Sequence, residues 1–158
     1  MHVEGRLFFF SEGLDSRVLE FVLDPGAPPP WQLRRELLGV HQVITAALID
    51  GKRMYVVGRK KPSEEDTHGA KIAQGYLSVD SMAFEEVLAG TKDLNHDSVL
   101  GVTDGTLYMW NGAAHVLYRL EDSEWVPCFR LQYRGSDFYS MVCFTAAAVV
   151  VFGGVTKE

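Results

Sequence analysis

The chain has 158 residues, 47% of them hydrophobic and 23% charged, the balance of one soluble globular domain with enough apolar mass for a core, which excludes a disordered chain. Its net charge of -6 argues against a nucleic-acid partner, because phosphate binding draws on clustered Lys and Arg. No run approaches the roughly 18 apolar residues that span a bilayer, and the opening MHVEGRLFFFSEG lacks the parts of a secretory leader, so no membrane association and a cytoplasmic location are expected.

In chain order, the first turn-bounded apolar run is GRLFFFSEG (residues 5–13), followed by SRVLEFVLDPGAPPPW, an apolar-alternating strand and a stiff proline-rich connection ending at Trp31. PWQLRRELLGVHQ (30–42) reads as an outer strand; a helix is the alternative, with Pro30 near its start and Leu33, Leu37 and Leu38 about one turn apart. HQVITAALID (41–50) is short, β-branched and apolar, as expected of a strand buried on both faces. Its closing Asp-Gly favours a tight two-residue hairpin into DGKRMYVVGR (50–59). Beyond a polar insertion, QGYLSVDSMAF supplies an alternating strand, a polar turn and Phe84.

The same order then recurs. HDSVLGVTD (96–104), DGTLYMWNG (104–112) and HVLYRLEDSEW give strand, Asp-Gly turn, strand, a pause at Asn111-Gly112, a third strand and a polar turn. Trp125 then opens the last strand, WVPCFRLQ. FYSMVCFTA (138–146) and TAAAVVVFGG (145–154) begin the order once more. The turn glycines Gly5, Gly51 and Gly105 are spaced by roughly 45–55 residues, and a four-stranded unit at such a period points to a propeller blade. The expected organisation is a single domain of four units, 1–38, 39–92, 93–134 and 135–158.

These units resemble kelch repeats. The third matches best, through Asn111-Gly112, Tyr118 and Trp125; the fourth carries the intact Gly153-Gly154; the second keeps Gly58, with Arg59, Leu77 and Phe84 in the remaining places; the first keeps little beyond Trp31. The resemblance implies an all-β fold, a kelch-like β-propeller segment of four-stranded antiparallel blades, with Trp125 packed between one blade and its neighbour. The register gives three strands to the first unit, which lacks an inner strand, four to each of the next two and two to the last. That count leaves an incomplete ring, since closed propellers carry about four to eight whole blades. The open ends of apolar strands such as AAAVVVFGG invite pairing. Completion by a second copy or by a different polypeptide is therefore expected, as is, alternatively, continuation in a longer protein.

Candidate chemical groups are sparse. Cys128 and Cys143 are too few for a disulfide framework and are expected reduced and structural. His41 and His96 precede first strands and read as packing or turn residues, although His96-Asp97 has the makings of an acid–base pair. His68 and His115 fall between second and third strands, where they could share a rim with His96, but no HxH, HExxH or CxxC spacing supports a metal. No nucleophile elbow or phosphate-binding glycine loop stands after a suitable strand. Some propellers with kelch-like units are copper oxidases, for which Tyr118, His115 and Cys128 are at hand; Tyr118 and Cys128, however, read as core. TDGTLYMW does not fit the turn of sialidase-type propellers. No catalytic residue, metal or cofactor is expected.

The segment GRKKPSEEDTHGAKIAQG (58–75) carries the clearest functional signal. It lengthens the second unit between its second and third strands with Arg59, Lys60 and Lys61, then Glu64, Glu65 and Asp66, then His68. A solvated loop is one reading and a recognition loop the other. Antiparallel order would gather residues 11–17, 58–75, 88–97, 111–115 and 133–137 on one face, with His68, His96 and His115 among them. The resemblance implies that this face binds a protein or peptide. The expected function is thus non-catalytic protein interaction or assembly. A structural half-ring completing another chain's propeller is the alternative, and a propeller-type enzyme a more distant one.

Overall fold

The fold is that of a computed structural model, which describes residues 2–3, 6–10, 17–22, 31–36, 40, 42–60, 71–87, 94, 98–132 and 141–152. Among these, every regular element is a strand: β1 (His2–Val3), β2 (Arg6–Phe10), β3 (Arg17–Val22), β4 (Trp31–Glu36), β5 (Gln42–Asp50), β6 (Arg53–Arg59), β7 (Ile72–Ser78), β8 (Phe84–Glu86), β9 (Ser98–Thr103), β10 (Thr106–Asn111), β11 (Val116–Glu121), β12 (Glu124–Arg130), β13 (Met141–Phe144) and β14 (Val149–Phe152). Consecutive strands pair antiparallel into three four-stranded sheets, β1–β4, β5–β8 and β9–β12, and a two-stranded one, β13–β14. No helix among the described residues is long and apolar enough to cross a membrane. The chain divides into two compact units, Met1–Leu88 and Ala89–Glu158.

In the first sheet the outer-strand reading of residues 30–42 holds for β4, where Trp31 pairs with Phe21 and Leu33 with Leu19; the helix alternative does not. The expected lack of an inner strand is corrected by β1, which pairs His2 with Leu7 and Val3 with Arg6. A two-residue strand has no periodicity of its own, and its pairing partner alone defines it.

The second sheet holds the core of its unit. β6 runs down its middle, and Met54, Tyr55, Val56 and Val57 are all fully buried. Met54 and Val56 join Val40, Val43, Ala73, Leu77, Val79 and Met82 on one side, each large side chain contributing about 1.5–3 kcal/mol. Tyr55 and Val57 point to the other side, since side chains alternate along a strand. β5 was expected to be buried on both faces, but only Val43 and Ala47 are fully covered. β5 is an edge strand, whereas β6 and β7 have neighbours on both sides, and the continuous burial falls on β6.

The hairpins show two solutions to one problem. Between β9 and β10, Asp104 and Gly105 take φ of 50° and 69°, the left-handed pair that matches strand twist and that Asp-Gly was expected to supply. Asp122 and Ser123 do the same at 46° and 67° between β11 and β12, at a turn without glycine. Between β5 and β6, by contrast, Asp50 pairs with Arg53, so the turn residues are Gly51 and Lys52 rather than Asp50 and Gly51. Asp50 instead clamps the turn: its carboxylate accepts from the Lys52 and Arg53 amides at 2.8 Å each and from Arg53 Nε at 3.0 Å. These bonds, the Lys52 amide first, hold its carboxyl below the usual carboxylate range.

In the second unit, Ser98, Leu100, Leu107, Met109, Asn111, Val116, Tyr118 and Trp125 are buried and by strand register fall on one face of the third sheet. On the opposite face Trp110 is buried, whereas Val99 and Phe129 remain 39% and 54% exposed. Cys128, expected in the core, is exposed. The register shifts between Leu117 and Tyr118, and the Cys128 thiol donates to the Leu117 carbonyl at 3.3 Å. β13 lies beside β9: the Asp104 amide donates to the Ala146 carbonyl at 2.9 Å, and a Cβ on Gly101 would overlap the Phe144 ring. The two strands therefore finish at the same end and run in the same direction, with glycine required where the ring seats.

Candidate interaction site

Antiparallel order dictates where connections leave the second sheet. The start of β5, the end of β6, the start of β7 and the end of β8 share one end, because Gln42 pairs with Arg59, Arg59 with Ile72 and Gly75 with Glu86. Arg59 is half-buried as the last residue of β6. Immediately beyond it, the Lys60 amide donates to the Lys71 carbonyl at 2.7 Å, which closes the stem of the connection 61–70. Lys60 Nζ also meets Glu86 Oε1 at 2.6 Å, both side chains being a little over one-third exposed. An exposed pair of this kind contributes about 0–1 kcal/mol; its effect is to tie the β6 exit to β8, across β7. The sheet thus presents a braced stem carrying Arg59, Lys60, Lys71, Glu85 and Glu86.

Lys61, Glu64, Glu65, Asp66, His68 and His96, along with His41, lie outside the described residues. His115 lies within them. It closes the turn from β10 to β11 with a φ of 55°, and its carbonyl accepts from the Leu131 amide at 2.9 Å. Asn111 shapes the same turn, its Oδ1 accepting from the Ala114 amide at 2.9 Å. In the third sheet, then, the β10–β11 turn is tied to the chain leaving β12, just as the β6 exit is tied to β8 in the second.

Of the residues at hand for a copper oxidase, Tyr118 and Cys128 sit in different surroundings. Tyr118 is buried on the face shared with Met109, while the Cys128 thiol is exposed and committed to Leu117. Partial desolvation raises the Cys128 pKa, with Arg119 acting against it, so the thiol stays protonated near neutral pH and is a poor nucleophile. Among the described residues no group of three or more His, Cys, Asp or Glu is placed to hold a metal.

Sequence reasoning missed a polar–aromatic cluster on the second sheet. Tyr55 and Tyr76, directly paired across β6 and β7, meet edge to face with centroids 5.2 Å apart. The Arg53 guanidinium lies 5.9 Å from the Tyr76 centroid. The Tyr55 hydroxyl donates to Gln74 Oε1 at 3.0 Å, and burial pushes the Tyr55 pKa well up. The signal was available in the alternation of YVV against QGY, which sets Tyr, Gln and Tyr on one face. The buried phenol stays neutral and anchors the sheet.

Compared with family models, curated proteins and solved structures, the chain matches none.

Proposed function

We propose that the chain is a non-catalytic protein-interaction module, a kelch-like propeller segment whose β6–β7 connection is its recognition element. The braced stem carries this reading: a polar connection rich in both charge signs departs from a rigid sheet through a main-chain hydrogen bond and an ion pair that fix where it leaves and returns. Loops held by such a frame present side chains without loosening the core. The propeller-type arrangement draws support from β9 and β13, which lie side by side in the same direction as the inner strands of neighbouring blades do. Protein or peptide is the partner chemistry best suited to Arg59, Lys60 and Lys61 followed by Glu64, Glu65 and Asp66.

The test is a paired quantitative pull-down. Reversing the charges at Arg59, Lys61, Glu64, Glu65 and Asp66 removes specific partners while leaving the thermal midpoint within about 2 °C, the scale of a surface change of a few tenths of a kcal/mol. Reversing Asp122 and Glu124, at another hairpin, leaves the partners in place. Identical capture profiles for all three baits would overturn the proposal.

A further inference from the structure

An Asp or Asn followed by glycine is a place where a main chain can rearrange by itself. The glycine amide nitrogen attacks the side-chain carbonyl carbon, water leaves from Asp or ammonia from Asn, and a cyclic succinimide forms. Water then opens the ring at either carbonyl, giving aspartate or isoaspartate. No oxidant or reductant takes part.

This chain has three such steps, Asp50-Gly51, Asp104-Gly105 and Asn111-Gly112, and the fold treats them differently. Ring closure needs the side chain to rotate onto the next nitrogen, so whatever holds the side chain opposes it. Asp50 is held by the Lys52 and Arg53 amides at 2.8 Å each and by Arg53 Nε at 3.0 Å. Those bonds also favour its ionised form, and a carboxylate is a far poorer electrophile than a carboxylic acid. Asn111 is 4% exposed and its Oδ1 accepts from the Ala114 amide at 2.9 Å, a bond that rotation would break in a buried setting.

Asp104 has none of these restraints. It and Gly105 are exposed at the turn between β9 and β10, and among the described residues no hydrogen bond or ion pair engages the Asp104 carboxylate. A Cβ placed on Gly105 would meet nothing within 4 Å, so the glycine side of the turn is open too. Asp122-Ser123 makes a turn of similar left-handed torsions, but there a serine side chain crowds the nitrogen that glycine leaves bare.

We propose that Asp104-Gly105 is a self-modification site, at which this chain accumulates isoaspartate ahead of its two other such steps. The isomer carries one extra main-chain carbon, which a two-residue turn does not accommodate without losing the torsions that match strand twist. The Asp104 amide is also the donor to the Ala146 carbonyl, so the rearrangement loosens the β9–β10 hairpin and its tie to β13 together. The product is a substrate for the class of methyltransferase that esterifies isoaspartyl carboxylates: the methyl moves from the sulfonium of S-adenosylmethionine to the carboxylate oxygen, leaving S-adenosylhomocysteine. The site is independent of the recognition connection.

The test incubates the full chain in heavy-oxygen water at neutral pH and body temperature, where each passage through a succinimide leaves one heavy oxygen in the residue. Peptide mapping by mass spectrometry should find label at position 104 about tenfold above positions 50 and 122, the scale set by freeing a side chain from one or two hydrogen bonds. Methyl incorporation by a purified isoaspartyl methyltransferase should concentrate in the same peptide. Label absent from 104, or equal at 50 or 122, overturns the proposal. Asp104→Asn then sets the same Asn-Gly pair in two turns of one molecule and keeps a favoured turn sequence. Position 104 should lose ammonia about tenfold faster than Asn111 in the native chain, and the two rates should converge in concentrated guanidinium chloride. Reaction at 111 as fast as at 104, or a gap that survives unfolding and so belongs to local sequence alone, overturns it as well.

Discussion

The second and third sheets are built to one plan and buried to different depths. Each has four strands in sequential order, a two-residue hairpin between its first and second strands, and a tie from the second-strand exit toward the outermost strand. Yet β6 is covered on both sides, from Met54 to Gly58, whereas the third sheet leaves Val99 and Phe129 exposed on the face opposite Met109 and Tyr118. Topology sets which groups are paired along the backbone; it does not set what lies over each face. Tyr55, in a continuous apolar run on an inner strand, is buried, whereas Phe129, on an outer strand, is exposed.

The largest effect should come from emptying the doubly covered site. Tyr55→Ala removes a fully buried ring and is expected to lower the stability of the chain by about 3–5 kcal/mol, read from urea denaturation. A loss under 1 kcal/mol would show that the burial does not persist in solution and would erase the contrast between the sheets. Tyr55→Phe keeps the packing and removes the hydroxyl that donates to Gln74 Oε1, costing about 0.5–1.5 kcal/mol. It also flattens the alkaline limb of the pH profile. The Tyr55 pKa is raised in the folded state, so its contribution is fully present below the unfolded pKa of about 10 and is lost as pH rises beyond it. Wild type should destabilise above that pH more steeply than Tyr55→Phe; parallel alkaline limbs would contradict a buried phenol.

At the exposed face, Phe129→Ser should change stability by no more than about 0.5 kcal/mol. A cost above 1 kcal/mol at a protein concentration where the chain is monomeric would mean that this face is covered after all. The smallest effect belongs to Asp50. Its lowered pKa contributes stability above the unfolded carboxylate value, lost as pH falls through the folded one. Asp50→Asn should therefore lower the thermal midpoint slightly at pH 7 and flatten its fall below about pH 4, the two chains converging in acid; an unaltered acid limb would mean that the carboxylate clamp is absent in solution.

Much of the strand order was legible because turn chemistry and apolar runs recur at intervals of roughly 45–55 residues. Asp104-Gly105, the pause at Asn111-Gly112 and the aromatics Trp31, Phe84 and Trp125 near the starts of outer strands each mark a boundary the structure keeps. β1 was not legible, since two residues carry no period, and the Asp50 turn was placed one residue early because Asp-Gly has two uses. It supplies left-handed torsions at 104–105 but a carboxylate clamp at 50–51. Cys128 was misplaced for a related reason: the register shift at Leu117 and Tyr118 interrupts the alternation that an inside–outside assignment relies on. Of the candidate site, the ends of the connection are legible as a change from apolar to charged residues. The brace between Lys60 and Glu86 is not, because the two lie on strands separated by β7 and no local pattern joins them.

The Lys60–Lys71 closure has an evolutionary corollary. When a segment begins and ends at a single hydrogen-bonded rung, its length enters the stability of the whole only logarithmically, with each doubling costing about 0.6 kcal/mol. Residues 61–70 can therefore lengthen, shorten or be exchanged wholesale at little expense to the scaffold beneath, which makes this position a natural cassette for diversification and a practical one for grafting foreign peptides.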